Sequence, residues 1–158
     1  IMPPMPFKAG KIAVLSKSGT LLYEISDALT NAGFGQSITI GIGGDPVNGT
    51  RLIDAFEMIK DISDLEGVVI VGEIGGDSEE MLAQRIIDLG FKKPAVAYIA
   101  GRAAPKEKRM GHAGAIVMGT YGSAESKVSM FNKANIPVAK RPAEVPVLLA
   151  GKMENRLE

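Results

Sequence analysis

The chain has no cysteine and no tryptophan, and only one histidine among its 158 residues. Without cysteine it forms no disulfide, no thiolate metal site and no cysteine nucleophile. With a single histidine, a multi-histidine metal centre within the chain is excluded as well. Charge of either sign is not in excess: 18 Lys and Arg face 18 Asp and Glu, so no global field draws nucleic acid or an anionic membrane. Aromatic residues are only 5% of the chain, which argues against a stacked flavin. No apolar run reaches the roughly 18 residues needed to span a bilayer. Ile1 to Gly10, with three prolines, resembles neither a signal nor a transit peptide and reads as a connecting segment.

What is present is an ordinary globular composition, 46% hydrophobic and 23% charged, in a length suited to one domain with a real core. Glycine is in excess, 19 residues against a usual frequency near 7%. These glycines gather at the ends of predicted strands, where α/β proteins place their chemistry.

Apolar runs alternate with amphipathic stretches. Strands are predicted at Lys11 to Ser16, Ser37 to Gly41, Gly67 to Gly72, Pro94 to Ala100 and Ile136 to Ala139. Helices are predicted at Gly19 to Asn31 (closed by Gly33), Arg51 to Lys60 (with Thr50 as N-cap), Ser78 to Leu89, Ala124 to Ala134, and from Pro142 onward. Five strands separated by helices imply an α/β, flavodoxin-like three-layer fold. Its five-stranded parallel sheet is expected in the order 2-1-3-4-5. In that order the loop after strand one, Ser16-Lys17-Ser18-Gly19-Thr20, neighbours the loop after strand three, which begins at Glu73. The loop Gly101 to Gly114, carrying His112, leaves from the adjacent strand four. Three separated motifs therefore converge on one crevice.

The lone His112 lies among Gly111, Ala113 and Gly114, with no bulky neighbour to shield it. Imidazole accepts and passes on groups near neutral pH. A helix opening at Ser18-Gly19 presents free N–H groups and a positive dipole end suited to phosphate. A carboxylate at Glu73 can hold one ring nitrogen and fix the tautomer. Together these describe a histidine that carries phosphate. The loop Gly41 to Thr50 is neither a P-loop nor GxGxxG; it approaches a ligand or a partner backbone, or simply turns the chain. Lys106, Lys108 and Arg109 could attract phosphates, or are merely solvated. Asp77, Glu79 and Glu80 suit the first turn of a helix and are assigned no chemistry. No metal ligands are assigned.

At these positions the chain resembles the C-terminal ligase domain of succinyl-CoA synthetase α subunits. The matching stretches, in order and approximate spacing, are SKSGTLLYE from Ser16, GIGGDPVNGT from Gly41, GEIGG from Gly72 and RMGHAGAI from Arg109. The resemblance implies that His112 is phosphorylated by a nucleoside triphosphate bound on a β subunit. The phosphoryl group would pass to succinate, and CoA would attack the acyl phosphate. Glu73 would hold the ring, Ser18 and Gly19 would supply phosphate-binding amides, and Tyr23 would contribute to a substrate site shared with β. It further implies that residues 1–10 are a linker from an N-terminal CoA-binding domain and 11–158 the ligase domain.

No cofactor is expected on this domain. CoA, ATP or GTP, and Mg²⁺ are implied for the complete enzyme, with a cytoplasmic location (mitochondrial matrix in a eukaryote). The expected partners are the β subunit, the N-terminal domain, succinate and phosphate, and neither nucleic acid nor membrane. The chain alone is expected to be inactive. Alternatives within the superfamily are a malate–CoA ligase, an ADP-forming acetyl-CoA synthetase or the ligase segment of ATP-citrate lyase. Outside it stands a non-catalytic flavodoxin-like binding module.

Overall fold

A computed structural model describes residues 3–103, 111–117 and 122–154. Its order of elements is β1 (Ala9–Ser16), α1 (Gly19–Asn31), β2 (Gln36–Gly41), α2 (Leu52–Ile59), β3 (Gly67–Glu73), α3 (Ser78–Leu89), β4 (Ala95–Ala100), α4 (Ala124–Lys133), β5 (Val138–Ala139) and α5 (Val145–Glu154). A short 3₁₀ turn, Pro142–Glu144, leads into α5. All strands are parallel and the sheet order is β2-β1-β3-β4-β5. This is the α/β, 2-1-3-4-5 architecture expected from the alternation of strands and helices.

The layers follow from the two-residue period of the strands. In β1, Ala13 and Leu15 face the core shared with Leu52, Phe56, Leu82, Ala83 and Phe131 of α2, α3 and α4. Ile12 and Val14 face the opposite core, with Ile25 and Leu29 of α1 and Val145 and Leu149 of α5. The central strand β3 is buried throughout, as a strand covered by helices on both faces must be. Its Val68 and Ile70 serve one core, Val69 and Val71 the other.

Several boundaries move by one to three residues from the sequence expectation, and three of these shifts have a clear physical cause. First, β1 begins at Ala9, because Gln36 N–H donates to the Lys8 carbonyl (2.7 Å) and the strand pairs from Ala9 onward with a register irregularity. Residues just before it are also tied down, since the Thr30 hydroxyl donates to the Pro6 carbonyl at 2.8 Å. Second, Arg51, not Thr50, is the N-cap of α2. The Asp54 carboxylate reaches back to accept from the Arg51 N–H (3.1 Å), which leaves Thr50 outside the helix. Third, β5 keeps two residues, not four. Ile136 N–H is drawn back to the Phe131 carbonyl, and Pro137 has no N–H to give a ladder.

Candidate functional site

β1 and β3 lie side by side, so the loops leaving their C-terminal ends border the crevice that such sheets offer to ligands. α1 opens on Ser18, whose hydroxyl accepts from Leu21 N–H at 3.3 Å. That is the N-cap anticipated from the sequence, with Gly19 exposed just inside the helix. Glu73 is the last residue of β3 and is 6% exposed. Its Oε2 lies 2.6 Å from His112 Nδ1, while the histidine side chain remains 40% exposed. A carboxylate on Nδ1 stabilises the tautomer with the proton on that nitrogen, leaving the Nε2 lone pair free for attack. Burial raises the Glu73 carboxyl above its ordinary value, against the opposing pulls of the His112 hydrogen bond and the Lys17 charge. Its second oxygen, Oε1, is buried without a hydrogen-bond partner among the described residues.

The glycine-rich loop after β2 is the backbone that approaches. Gly44 carbonyl accepts from Gly114 N–H at 3.0 Å, tying that loop to the histidine loop. A Cβ at Gly44 would stand 2.1 Å from His112 Nδ1 and 2.5 Å from Glu73 Oε1. The imidazole–carboxylate pair therefore packs directly on a bare α-carbon. Gly75 plays a similar part from the other side: its φ is +94° and a Cβ there would meet the Gly114 carbonyl at 1.9 Å.

A network missed in the sequence lies behind the pair. Glu79, a first-turn acid to which the sequence assigns no chemistry, is fully buried, as is Lys127 of α4. Lys127 Nζ donates to Glu79 Oε2 (2.6 Å), Glu80 Oε2 (2.9 Å) and the Gly76 carbonyl (2.9 Å). Glu79 Oε1 accepts from the main-chain N–H of Glu73 at 3.0 Å and lies 3.2 Å from Lys17 Nζ. Burial acts to raise the Glu79 carboxyl, but the charges of Lys127 and Lys17 and the hydrogen bonds it accepts outweigh burial and hold it below its ordinary value. The periodicity carried the signal, because Glu79 shares a helix face with the buried Leu82, Ala83 and Ile86.

Beside these loops opens a cleft of about 440 Å³, lined by Lys17, Gly44, Pro46, Gly76, Ser78 and Gly114 among others. A larger depression, about 660 Å³, lies over α4 near Arg102 and Glu125; neither hollow is lined by His112, Glu73, Ser18, Gly19 or Tyr23, although the smaller one borders the His112 loop at Ala113 and Gly114. Tyr23 sits in the second turn of α1, its ring edge-on to Phe7 at 6.1 Å between centroids. Among the described residues no hydrogen bond joins Ser18 or Gly19 to the imidazole; they share its end of the sheet. Lys106, Lys108, Arg109 and Met110 lie outside the described residues, as do Ile1 and Met2.

The CoA-ligase family model matches residues 15–135, a span that includes Ser18, Gly44, Glu73, Glu79, His112 and Lys127. The chain belongs to the CoA-ligase family. Among curated relatives, the succinate–CoA ligase (ADP-forming) subunit alpha 2 of Archaeoglobus fulgidus is 47% identical over 150 residues, covering 95% of this chain and 52% of that protein. The alpha subunit from Aquifex aeolicus is 48% identical over 145 residues, covering 92% of this chain and 47% of its own length. This CoA-ligase chain thus spans about half the length of the curated relatives it matches. Its fold is also that of the Methanosaeta concilii ATP citrate lyase (D541A mutant) solved with (3S)-citryl-CoA. That match has a TM-score of 0.85 at 24% identity and covers 94% of this chain and 24% of that one. An acetyl-coenzyme A synthetase from Ca. Korarchaeum cryptofilum matches with a TM-score of 0.70 at 20% identity, over 92% of this chain and 30% of its own.

Proposed function

We propose that this chain is the phosphohistidine-carrying part of the α subunit of an acid–CoA ligase, and that the acid is succinate. The observation that carries the reading is the 2.6 Å contact of His112 Nδ1 with Glu73 Oε2 in a chain with no other histidine. In the proposed reaction Nε2 attacks the terminal phosphorus of a nucleoside triphosphate. The N–P bond forms as the bond to the bridging oxygen breaks, and the diphosphate leaves. A carboxylate oxygen of succinate then attacks that phosphorus and frees the imidazole, giving an acyl phosphate. The CoA sulfur attacks the acyl carbon, phosphate departs, and the thiol proton passes to solvent.

Glu73 compensates the positive charge that the ring gains when Nε2 is substituted. The Gly19 amide at the open end of α1 meets the phosphoryl oxygens, and the Ser18 N–H, which donates to Ser16 Oγ at 3.1 Å, joins it on leaving that bond. Tyr23 borders the substrate. The β subunit supplies the nucleotide with its Mg²⁺, and CoA is held outside this chain, so the chain alone does not turn over. The identities near 47% to succinate–CoA ligase α subunits favour succinate over citrate or acetate, for which only fold-level likeness speaks, and over malate. The family match also weighs against a non-catalytic module.

The test uses the α subunit bearing this chain, paired with β and given labelled ATP or GTP. It should yield an acid-labile, base-stable phosphoprotein that His112→Ala abolishes. Undiminished labelling of that variant would overturn the assignment.

A further inference from the structure

Glu79 is seated in a place that looks built for a carboxylate rather than for a filler of core space. β1 and β3 pair in register up to Ser16 and Val71, and Lys17 N–H still donates to the Val71 carbonyl at 2.9 Å. In a regular parallel ladder the next bond would run from Glu73 N–H to the Lys17 carbonyl. That bond is not made; Glu79 Oε1 takes its place at 3.0 Å. Room for the side chain comes from Gly72, where a Cβ would lie 2.6 Å from Glu79 Cγ and 2.7 Å from Oε1. The other oxygen, Oε2, accepts from Ser78 Oγ at 3.0 Å and from Lys127 Nζ at 2.6 Å. Lys127 uses its remaining two protons on Glu80 and the Gly76 carbonyl.

One carboxylate therefore joins the ends of β1 and β3 to α3 and α4, at the residue whose own side chain touches His112. A hydrophobic pair of equal volume would fill this space at similar or better stability. It would leave the Glu73 N–H without an acceptor and Lys17 without its anion.

We propose that Glu79, locked by Lys127, is a positioning residue that fixes the end of β3 so that Glu73 holds the imidazole of His112 in a single tautomer. The significance of that tautomer rests on the phosphate-carrying role proposed above, whereas its existence can be measured without any phosphorylation.

The chain's only imidazole makes the measurement direct. With the ring neutral, long-range ¹⁵N–¹H correlation reports which nitrogen bears the proton. The wild-type chain is expected to show the proton on Nδ1 alone. Two variants probe the lock. Glu79→Leu with Lys127→Met removes both buried charges and the acceptor for Glu73 N–H together, and Glu79→Asp keeps a charge for Lys127 but is one methylene too short to reach Glu73 N–H as well.

In each variant that folds, the ring is expected to become a mixture of tautomers. Labelling of His112 in the paired α and β subunits should then fall roughly tenfold or more, as is common when a group that orients a ligand is lost. A folded variant with the wild-type tautomer and wild-type labelling overturns the proposal. If the wild-type subunit takes up no phosphate while the tautomer changes as expected, the positioning stands and the functional reading fails.

Discussion

Glu73 and Glu79 are two buried carboxylates one hydrogen bond apart, and their surroundings push them in opposite directions. Glu79 has partners for both oxygens, including a fully buried lysine, and its carboxyl is held below the ordinary value. Glu73 has one oxygen on a half-exposed imidazole and the other without a partner among the described residues, and burial holds its carboxyl above the ordinary value. Acids whose environments separate their proton affinities commonly divide labour at a site. In the function proposed above, the satisfied acid is architectural and the under-satisfied one faces the chemistry. The orphaned Oε1 is the kind of local cost that folded proteins keep where function needs it and compensate elsewhere.

The comparison breaks most violently at Lys127. Lys127→Ala leaves Glu80 without its cation and Glu79 with Lys17 alone, in a site that is 0% exposed at both Lys127 and Glu79. Breaking a buried pair from one side costs about 3–5 kcal/mol. Urea unfolding should show a loss of that size, and adding Glu79→Leu should recover much of it. A loss below about 1 kcal/mol would mean that water reaches the pair and that the contrast with Glu73 is overdrawn.

Gly44 sharpens the other half. A methyl group there collides with the imidazole and with Glu73 Oε1, but the ring is 40% exposed and can swing outward. Gly44→Ala should therefore lower stability by only about 1 kcal/mol, the low end for added core volume. It should slow labelling of His112 about tenfold or more, because the Nδ1–Glu73 contact is lost. Stability by thermal melting and labelling in the paired subunits, read together, check it; equal labelling rates would show that the bare α-carbon is incidental.

Much of this was legible beforehand because it is local. The short, β-branched apolar run at Gly67 to Gly72 between glycines reads as a buried strand, and the spacing of Leu52, Phe56 and Ile59 marks a helix face. Ser18 before a helical pattern is an N-cap, and Glu73 at a strand end beside glycines met His112 as expected. What stayed hidden depends on partners distant in sequence. Glu79 sat on a buried helix face in plain view, yet nothing local announces Lys127, 48 residues away. The loop of Gly44 is left open by the sequence between a close approach and a simple turn, since the contact of Gly44 with the ring exists only after two loops close on each other. Thr50 was misjudged because cap preference favours Thr over Arg, whereas the acceptor that decides the cap belongs to Asp54.

The finest discrimination between the two acids is their effect on stability as pH falls. Both start from the same ordinary value of 4.5. Glu73 binds its proton more tightly in the folded chain, so its ionised form costs stability at neutral pH. That cost fades as pH drops through the raised folded value and is gone by 4.5. Glu79 binds its proton less tightly when folded. Its contribution is therefore complete above 4.5 and is lost as pH falls below 4.5 through the depressed folded value. Neither acid can impose a slope steeper than roughly 1.4 kcal/mol per pH unit.

Urea unfolding across this range, compared between the chain and two variants, separates them. Relative to the chain, Glu73→Gln should gain stability at neutral pH, with the gain shrinking toward pH 4.5. Glu79→Gln should lose stability at neutral pH, with the deficit shrinking only below 4.5. Asp54 and Glu144, whose carboxyls are also held low, keep part of the acid-side loss in both variants, so the differences and not the raw curves carry the test. A Glu73→Gln difference that stays constant with pH would show that the orphaned carboxylate is solvated after all, and the opposition between the two acids would fall with it.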